Sequence, residues 1–397
     1  MFPSNILNNS NVKYDYIIAG SGCSGLSLLY KILQTPSLQK KSILVIDKNQ
    51  KKNNDRTWCF WEKNPGPFES IVYARWNTLE FISDDINKKV DLGPYTYKMI
   101  QGIHFYNFVL EYAKKFKNVV FIQESIIDID SIFNEAKVIT KKNTYTAKYV
   151  FNSTNLFNPK INKQNSLLQH FKGWNIKTVD PAFNSKVGKL MDFSVSQENG
   201  ATFMYVLPTS STNALVEYTL FSPSPLKQEK YIKELKKYIK EVLKIENYTI
   251  EHEEFGIIPM SLAKFEQNPK PNVINLGTSG GYTKASSGYT FQFIQKNVLD
   301  IVKNLKAGKS PVQNLSFKNK IYRWYDRTLI NVLLTKKLTG KEIFTIMFKK
   351  NSAHKILAFL GNESTITEDI LIMKKFPKIP FLLAGIKSLK QKGINDI

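Results

Sequence analysis

Residues 14–25 read YDYIIAGSGCSG, and this stretch decides the fold. Its first half, 14–19, is a short apolar run of the kind that forms a buried strand. Gly20, Gly22 and Gly25 follow at the G-x-G-x-x-G spacing, and the apolar segment after them predicts a helix. In this motif the first glycine permits the turn, the second lets a pyrophosphate approach the backbone, and the third lets the helix pack on the strand. We therefore predict that a dinucleotide phosphate binds at the N-terminus of this helix.

A second predicted strand, 43–46, ends at Asp47, about twenty residues after the last glycine of the motif. An acid at this spacing can accept hydrogen bonds from the hydroxyls of an adenosine ribose. The alternative is a glycine-rich turn in an α/β protein that binds no nucleotide. The order of strand, glycines, helix, strand and acid favours the nucleotide site.

The composition is that of a folded, basic protein. The 397 residues are 42% hydrophobic and 13% aromatic, which argues against disorder and allows two or three domains. The net charge of +23 suits an anionic partner. We attribute it partly to solvated lysines and partly to attraction to an anionic membrane surface. A nucleic-acid-binding protein would need this charge on one face beside stacking aromatics, and no such motif is visible, so no nucleic acid partner is expected.

The cysteines and the hydropathy pattern predict a location. Only Cys23 and Cys59 occur, which favours a reducing, cytoplasmic compartment. The N-terminal residues lack the basic and apolar regions of a signal peptide. Uncharged apolar runs of about 18 residues are absent from the sequence, so no membrane-spanning helix is expected. We predict a cytoplasmic protein that lies peripherally on the inner face of the membrane.

The sequence contains no pattern of metal ligands. His170 is one of four histidines, and nothing in the sequence brings a second ligand near it. We interpret His170 as a hydrogen-bonded structural residue, with a catalytic role as the alternative. No metal site is predicted.

Residues 55–61, DRTWCFW, place a cation among aromatic side chains just after the ribose acid. Arg56 can pair with a cofactor phosphate or with a flavin carbonyl. Trp58 and Trp61 offer flat aromatic surface. The alternative is a surface arginine beside core aromatics, but the position after Asp47 favours a site.

Residues 214–220, ALVEYTL, predict a strand that carries a single acid. Alternation puts Leu215, Glu217 and Thr219 on one face and Tyr218 on the other. Burial among apolar side chains would raise the pKa of Glu217 and keep it neutral, and a neutral carboxylic acid can donate a proton. The alternative, a strand glutamate that faces solvent, stays open at this point.

Two later segments look like parts of the same site. Residues 253–262, EEFGIIPMSL, suggest a sharp bend at an apolar wall. Residues 273–297 predict a strand, a glycine-rich loop and a helix that begins near Gly288. The glycines of that loop are Gly277, Gly280 and Gly281. Its backbone amides and the helix N-terminus favour a nearby negative charge, such as that of a reduced flavin.

Together these blocks resemble the flavoprotein lycopene β-cyclase family of bacteria and plants. They are spread over most of the first 300 residues. The matching blocks are GSGCSG at 20–25 with Asp47, DRTWCFW at 55–61, QHFKGW at 169–174, YVLP at 205–208, VEYT at 216–219, FGIIPM at 255–260 and LGTSGGYTKASSGYTF at 276–291.

The resemblance implies an α/β fold like that of p-hydroxybenzoate hydroxylase. A discontinuous, Rossmann-like FAD-binding domain is expected over 1–155 and 265–310. A β-rich substrate domain is expected over 156–264, to which 68–100 could add strands. A helical region is expected over 311–397, where the mixed lysines and apolar residues suit a helical cap on the core, a face that contacts the membrane, or both.

The resemblance also implies a reaction, the cyclisation of the ψ ends of lycopene to β-rings, which gives γ-carotene and β-carotene. This is an isomerisation, or intramolecular lyase reaction, that uses reduced FAD without net oxidation, with NAD(P)H as the expected electron source. Lycopene, related carotenoids and the membrane surface are the expected partners. A flavin-dependent monooxygenase or a reductase acting on a prenyl lipid is the alternative.

By this resemblance Glu217 is the catalytic acid. The expected cofactor-binding residues are Gly20, Gly22, Gly25, Asp47, Arg56, Gly277, Gly280, Gly281 and Gly288. The expected substrate pocket consists of Trp58, Trp61, Tyr218, Pro259 and Met260. The sequence departs from the family pattern twice. Tyr218 replaces the second acid of the family's Glu-Glu-Thr or Glu-Asp-Thr motif, and Thr278 stands where related flavoproteins often carry Asp.

Overall fold

The computed structural model describes residues 12–312 and 316–390. The strands are β1 Lys13–Ala19, β2 Ile43–Asp47, β3 Thr57–Glu62, β4 Ala74–Trp76, β5 Thr78–Ser83, β6 Ile86–Asp91, β7 Thr96–Gln101, β8 Val119–Gln123, β9 Ile126–Ile132, β10 Glu135–Thr140, β11 Thr144–Asn152, β12 Ser166–Thr178, β13 Val187–Asp192, β14 Ala201–Pro208, β15 Asn213–Ser222, β16 Tyr248–Ser261 and β17 Val273–Asn275. The helices are α1 Cys23–Leu33, α2 Gly102–Ala113, α3 Gln228–Glu241, α4 Phe291–Lys306, α5 Phe317–Leu334, α6 Gly340–Lys350, α7 Ala353–Leu360, α8 Ile366–Met373 and α9 Lys378–Lys390.

The first sheet has the strand order β8-β2-β1-β11-β10-β9, with β17 paired to β11. Its strands β8, β2, β1, β11 and β17 are parallel, and β9 and β10 run antiparallel at one edge. Successive side chains of β1 pack on opposite faces of this sheet. Tyr16 and Ile18 pack against α1, α2 and α4 on one face, and Ile17 and Ala19 pack in the core on the other face. The predicted strand, glycine turn, helix and second strand are confirmed.

The second sheet, with the order β16-β12-β15-β14-β13-β5-β6, has a different core on each face. One face packs against α3 through Ala214, Val216 and Leu220 of β15. The opposite face, which includes Leu215 and Phe203, packs partly against the C-terminal helices. The alternation predicted for 214–220 is therefore observed.

The segment 68–100 contributes to two sheets. Strands β5 and β6 extend the second sheet through β13, while β4 and β7 pair with β3 in a three-stranded sheet. Strand β3 carries Trp58 and Cys59 and lies antiparallel to β7. The chain thus crosses between the sheets several times, and the domain boundaries given above stay a prediction.

The sharp bend expected in 253–262 is not observed. Strand β16 runs unbroken from Tyr248 to Ser261 and pairs with β12 along its length, with one register shift at Asn175/Ile176. Pro259 pairs with Leu168 of β12. As β16 is the edge strand of this sheet, a proline without an N–H is tolerated here. Because β16 is unbroken, alternation along the strand determines which of its side chains face the interior.

The C-terminal part is helical from α5 onward, as predicted. A capping box is present at the start of α8, where Thr365 Oγ1 accepts a hydrogen bond from the Glu368 backbone N–H at 3.2 Å. Helix α5 packs on α9, and the indole N–H of Trp324 donates to the Gly385 carbonyl at 3.1 Å. These helices cover part of the second sheet.

Candidate active site

The glycine turn between β1 and α1 leaves space for a ligand at one position. Gly20 has φ +99°, a conformation that glycine adopts without steric cost. A Cβ on Gly25 would lie 2.1 Å from the Gly20 carbonyl oxygen, so α1 can approach the turn closely only with glycine there. A Cβ on Gly22 would meet no heavy atom within 4 Å. Gly20 and Gly25 therefore shape the turn, and the side of Gly22 is open.

Asp47 is held against this turn at the end of β2. Its Oδ2 accepts hydrogen bonds from the Ser21 backbone N–H at 2.7 Å and the Ser21 hydroxyl at 2.9 Å. Lys51 lies 3.6 Å from the same oxygen. A carboxylate has about four acceptor positions, so Asp47 can still accept a bond from a ribose hydroxyl.

A cavity of about 560 Å³, here called the nucleotide cleft, collects the predicted cofactor residues. Gly20, Gly22, Asp47, Arg56 and Gly277 all line it. The two glycine-rich segments, far apart in sequence, thus meet at the same cleft, and the donor set fits a dinucleotide.

The glycines of the second glycine-rich segment, 277–288, have different roles in the site. Gly277, Gly281 and Gly288 have φ of +55°, +75° and +73°, so all three need the left-handed region. Of these three glycines, Gly277 lines the nucleotide cleft and the other two do not. Gly280 is buried, with a Cβ position 2.5 Å from the Asn275 carbonyl oxygen, and Gly281 borders a neighbouring cavity. Gly280 and Gly281 shape the loop in this structure and do not border the cleft.

A second cavity of about 280 Å³, here called the reaction cavity, adjoins the nucleotide cleft. Both cavities are lined by Arg56, Trp58, Thr278 and Thr290. Gly288 borders the reaction cavity, and helix α4 begins three residues later at Phe291. A cofactor held in the cleft therefore has a route by which its far end can reach this cavity.

Glu217 lines the reaction cavity and is 8% exposed. It lies in β15 between Tyr205 of β14 and Gly173 of β12. The buried hydroxyl of Thr219 donates to Glu217 Oε1 at 2.6 Å. Because Glu217 is buried, the solvent-facing alternative is wrong.

A second carboxylate, which the sequence analysis did not single out, lies beside the first. Glu254 of β16 pairs with the same Gly173 from the opposite side and lines the same cavity. A Cβ on Gly173 would lie 3.2 Å from Glu254 Cγ and 3.5 Å from Glu217 Cγ. Since glycine has no side chain, the two carboxyl groups meet above it and share a hydrogen bond.

The surroundings decide which acid carries the proton. Burial raises the pKa of Glu217 to about 8, and the charge of Glu254 acts in the same direction. Burial also raises the pKa of Glu254, but the Thr57 hydroxyl and the positive charge of Arg56 act in the opposite direction and favour its ionised form. Between the two acids, these surroundings favour the proton on Glu217 and the negative charge on Glu254.

The reaction cavity also carries a group of aromatic side chains. Its aromatic lining consists of Trp58, Tyr97, Phe171, Tyr205, Tyr289 and Phe291. Burial raises the pKa of Tyr97, Tyr205 and Tyr289, so these hydroxyls stay neutral. Aromatic faces carry partial negative charge and attract cations. The cavity thus combines a neutral acid with a lining that favours positive charge.

A comparison with protein families identifies the family to which the chain belongs. The model of the family described as lycopene cyclase protein matches residues 15–385. The chain belongs to the lycopene cyclase family. The resemblance inferred from the sequence blocks is therefore confirmed, and the family membership places the chain among enzymes.

The fold of this lycopene cyclase family member is similar to that of several solved structures. A flavoprotein/dehydrogenase from Cytophaga hutchinsonii is 12% identical, with a TM-score of 0.63 over 96% of this chain and 100% of that one. A geranylgeranyl bacteriochlorophyll reductase-like protein from Thermoplasma acidophilum is 12% identical, with a TM-score of 0.60 over 97% of both chains. A p-nitrophenol 4-monooxygenase from Pseudomonas putida is 12% identical, with a TM-score of 0.55 over 94% and 98%. A comparison with curated proteins gives no match. The predicted flavoprotein fold is confirmed.

Three residues assigned to the substrate pocket lie elsewhere in this cyclase family member. Tyr218 points to the α3 face of the sheet, where its ring centroid is 6.1 Å from that of Tyr231. Met260 is fully buried in the core. The indole N–H of Trp61 donates to the Leu357 carbonyl at 3.0 Å. Its ring packs edge-to-face against that of Tyr289, with the ring centroids 4.5 Å apart. Trp58 and Pro259 do line the cavity.

The same geometry shows that an acid at position 218, where this chain has Tyr, would not lie beside Glu217. Strand alternation turns a side chain at 218 away from Glu217, so an acid there would face α3. Glu254 supplies the second carboxylate from another strand. Thr278, the other departure, lines both cavities, and its hydroxyl lies 3.1 Å from that of Thr283.

His170 has the structural role expected from the sequence. Its ring nitrogens lie 2.7 Å from the Ser222 hydroxyl and 2.6 Å from the Tyr231 hydroxyl. Burial lowers the pKa of His170 to about 4, so the ring is neutral. Within 12–312 and 316–390, no group of three or more His, Cys, Asp and Glu side chains is arranged to hold a metal ion. Nor is any helix in these ranges both long and apolar enough to cross a bilayer.

Proposed function

We propose that this protein is a lycopene β-cyclase that binds FAD and closes the ψ ends of lycopene to β-rings without net oxidation. γ-Carotene and β-carotene are the proposed products. The observation that carries the proposal is the neutral, buried Glu217 in an aromatic cavity that adjoins a nucleotide cleft. Family membership supports the choice of substrate.

The FAD proposal rests on the residues of the cleft. Gly22 leaves room for the pyrophosphate, and Asp47 can accept the ribose hydroxyls. Arg56 lies where the two cavities join, so its guanidinium can contact either a phosphate or a flavin carbonyl. We propose that the reduced form of the cofactor is the active one and that NAD(P)H is the source of its electrons.

The proposed reaction begins with Glu217. Its carboxyl group donates a proton to the CH carbon of the terminal double bond, which leaves a positive charge on the carbon that carries the terminal methyl groups. The electrons of the neighbouring double bond then close the ring and move the charge to another ring carbon. Loss of a proton from the ring carbon that carries the polyene chain forms the β-ring double bond. The proton count and the electron count are unchanged overall.

An alkene is a very weak base, so the acid needs a site that stabilises the cation. The ionised Glu254 and the aromatic faces of Trp58 and Tyr289 provide this. Reduced FAD, when bound, would add further negative charge. The buried tyrosines also exclude water, which would otherwise capture the cation.

A flavin-dependent monooxygenase or a prenyl-lipid reductase is the second candidate. It is supported by the fold shared with a p-nitrophenol 4-monooxygenase and a geranylgeranyl bacteriochlorophyll reductase-like protein. Such enzymes use the cofactor for redox chemistry and do not need a neutral acid beside it. The Glu217–Glu254 pair therefore favours the cyclase.

Expression in a lycopene-accumulating bacterium tests the function directly. We expect the lycopene pool to be converted to γ-carotene and β-carotene, as measured by chromatography and absorption spectra of the pigments. Purified protein should give the same products without stoichiometric consumption of nicotinamide. Oxygenated or saturated products, formed with one nicotinamide consumed per product, would support the redox alternative instead.

We propose that the C-terminal helices dock on the inner face of the membrane, from which the insoluble substrate is taken. Ile379 and Leu382 of α9 are 72% and 64% exposed, and Ile370 of α8 is also exposed. Lys378 and Lys387 are exposed on α9 as well. Trp324, which bonds α9 to α5, lines a cavity that borders Pro259 and Thr278 of the reaction cavity. Apolar side chains flanked by lysines suit an anionic lipid surface.

Sedimentation with anionic liposomes tests this surface. We expect binding that weakens in high salt, because the lysine contribution is screened. Substituting Ile379 and Leu382 by Ser should weaken binding by roughly tenfold per residue, since each loses the burial of a large apolar side chain. Phe133→Ser is the matched control, because Phe133 is 94% exposed in the β9–β10 turn and should not affect binding. Equal effects of both changes would contradict the proposed surface.

A further inference from the structure

A row of four residues crosses the second sheet at the reaction cavity. Tyr205, Glu217, Gly173 and Glu254 pair in sequence across β14, β15, β12 and β16. Adjacent strands lie about 4.8 Å apart, so the two acids are separated by only one strand. Gly173 is the member of the row without a side chain, and this allows the two carboxyl groups to meet. Any other residue there would stand between them.

The proposed cyclisation needs both an acid and a base. The acid starts the reaction by protonating the terminal double bond, and a base ends it by removing a proton from the ring cation. After the first step Glu217 is a carboxylate, so the enzyme must also recover that proton. A second carboxylate in hydrogen-bond contact with Glu217 meets both needs.

We propose that Glu254 is the base of this reaction, an inference that rests on the proposed cyclase function. Its ionised carboxylate takes the proton that leaves the ring carbon bearing the polyene chain. The electrons of the broken C–H bond form the ring double bond. The proton then passes from Glu254 to Glu217 along the hydrogen bond above Gly173. The pair holds one proton before and after each turnover, and no oxidant or reductant is consumed.

The state of Glu254 before the reaction fits this role. Its Oε2 is buried and makes no hydrogen bond with any of the residues described, so a lone pair is available to accept a proton. Arg56 approaches from the segment before β3, with Nη1 3.5 Å from the Phe255 carbonyl next to Glu254. The Thr57 hydroxyl and the positive charge of Arg56 favour the ionised form of Glu254 and oppose the effect of burial on its pKa. Glu254 is therefore a buried carboxylate with one oxygen that can accept the proton from the ring.

Apart from Arg56, which stays charged, and His252, the titratable groups around the pair are neutral in the working pH range. They are Cys59 of β3, Tyr97 of β7, Tyr205 of β14 and Tyr289 before α4. Burial raises the pKa of each of them. The pH dependence of the reaction should therefore report on the acid pair. We expect a bell-shaped profile, since activity is lost at high pH when Glu217 loses its proton and at low pH when Glu254 gains one.

The test compares Glu254→Gln and Glu254→Asp with the wild type, using FAD content and thermal unfolding to monitor the fold. Glu253→Gln is the matched control, because it makes the same change one residue away, where the side chain faces outward and pairs with Lys172 at 2.7 Å. We expect Glu254→Gln to lower the cyclisation rate by about 100-fold or more. Its alkaline limb should move to lower pH, because the charge that helps to keep Glu217 protonated is gone. Glu254→Asp should recover part of the rate and keep the alkaline limb of the wild type.

Substrate carrying deuterium at the carbon that loses the proton separates a base from a structural residue. We expect the isotope effect to be larger in Glu254→Gln than in the wild type, because proton removal becomes limiting. A folded Gln variant with the wild-type rate would overturn the proposal. So would a slow variant with an unchanged pH profile and an unchanged isotope effect. If the Gln variant does not fold, a wild-type profile without an acidic limb would overturn it. A wild type that leaves lycopene unchanged would refute the proposed function itself.

Discussion

Glu217→Gln should leave lycopene uncyclised while the protein still folds and binds FAD. The amide has nearly the same shape as the carboxylic acid, so the cavity and its bond to Thr219 are disturbed little. It cannot donate a proton to an alkene, however, and the first step is lost. We expect the rate to fall by at least about 1,000-fold, within the range for removal of a general acid. Pigment chromatography and the flavin absorption of the purified variant are the measurements.

Deuterated water supplies an independent readout of the same step. The wild type should place one solvent-derived deuteron in each new ring, because Glu217 exchanges its proton with solvent between turnovers. Glu253→Gln, an acid-to-amide change at an exposed side chain on the opposite face of the same sheet, should behave as the wild type. Rings formed without solvent deuterium, or a Glu217→Gln variant with near wild-type turnover, would show that another group starts the reaction.

Gly22→Val is expected to remove FAD without unfolding the protein. Gly22 has φ −77° and ψ −169°, an extended conformation that valine adopts readily, and the space at its Cβ is open. The valine side chain would instead occupy the position of the pyrophosphate. A steric cost of about 1–3 kcal/mol corresponds to a loss of affinity of up to about 100-fold. Flavin content after purification and titration with FAD measure this loss.

Gly25→Ala is the contrasting control in the same turn. Its Cβ would lie 2.1 Å from the Gly20 carbonyl oxygen, a contact with backbone that cannot be relieved by moving a side chain. This change should lower the melting temperature, whereas Gly22→Val should leave it close to that of the wild type. Full flavin content in a folded Gly22→Val variant would show that the cofactor does not bind at this turn.

The nucleotide-binding half was predictable because its signals are local. The strand, the glycine spacing and the following helix lie within 13–33, and Asp47 ends the next strand. Each of these features depends on neighbouring residues, on steric rules for glycine and on hydrophobic periodicity. Glu217 could be singled out for the same reason, since strand alternation places it with Leu215 and Thr219.

Two errors in the site concern the alternation of side chains along strands β15 and β16. Tyr218 neighbours Glu217 in sequence and was expected in the substrate pocket by the family resemblance, but neighbours in a strand face opposite sides. The bend that Gly256 and Pro259 suggest in 253–262 gives no alternation, so it does not single out Glu254. An extended interpretation would have put Glu254 and Gly256 on one face and Glu253 on the other, which is the signal that could have found it.

By itself, the sequence determined the flavoprotein fold, the family and one acid, since short segments and their spacing carry this information. Only the tertiary structure decided that a second acid completes the site. Glu217 and Glu254 lie on strands β15 and β16, which are not paired with each other, and they meet because both pair with Gly173 of β12. The register of three strands is set by long-range backbone hydrogen bonds and by the packing of both faces of the sheet. Burial of the pair, which keeps the proton on Glu217, exists only once those strands have assembled.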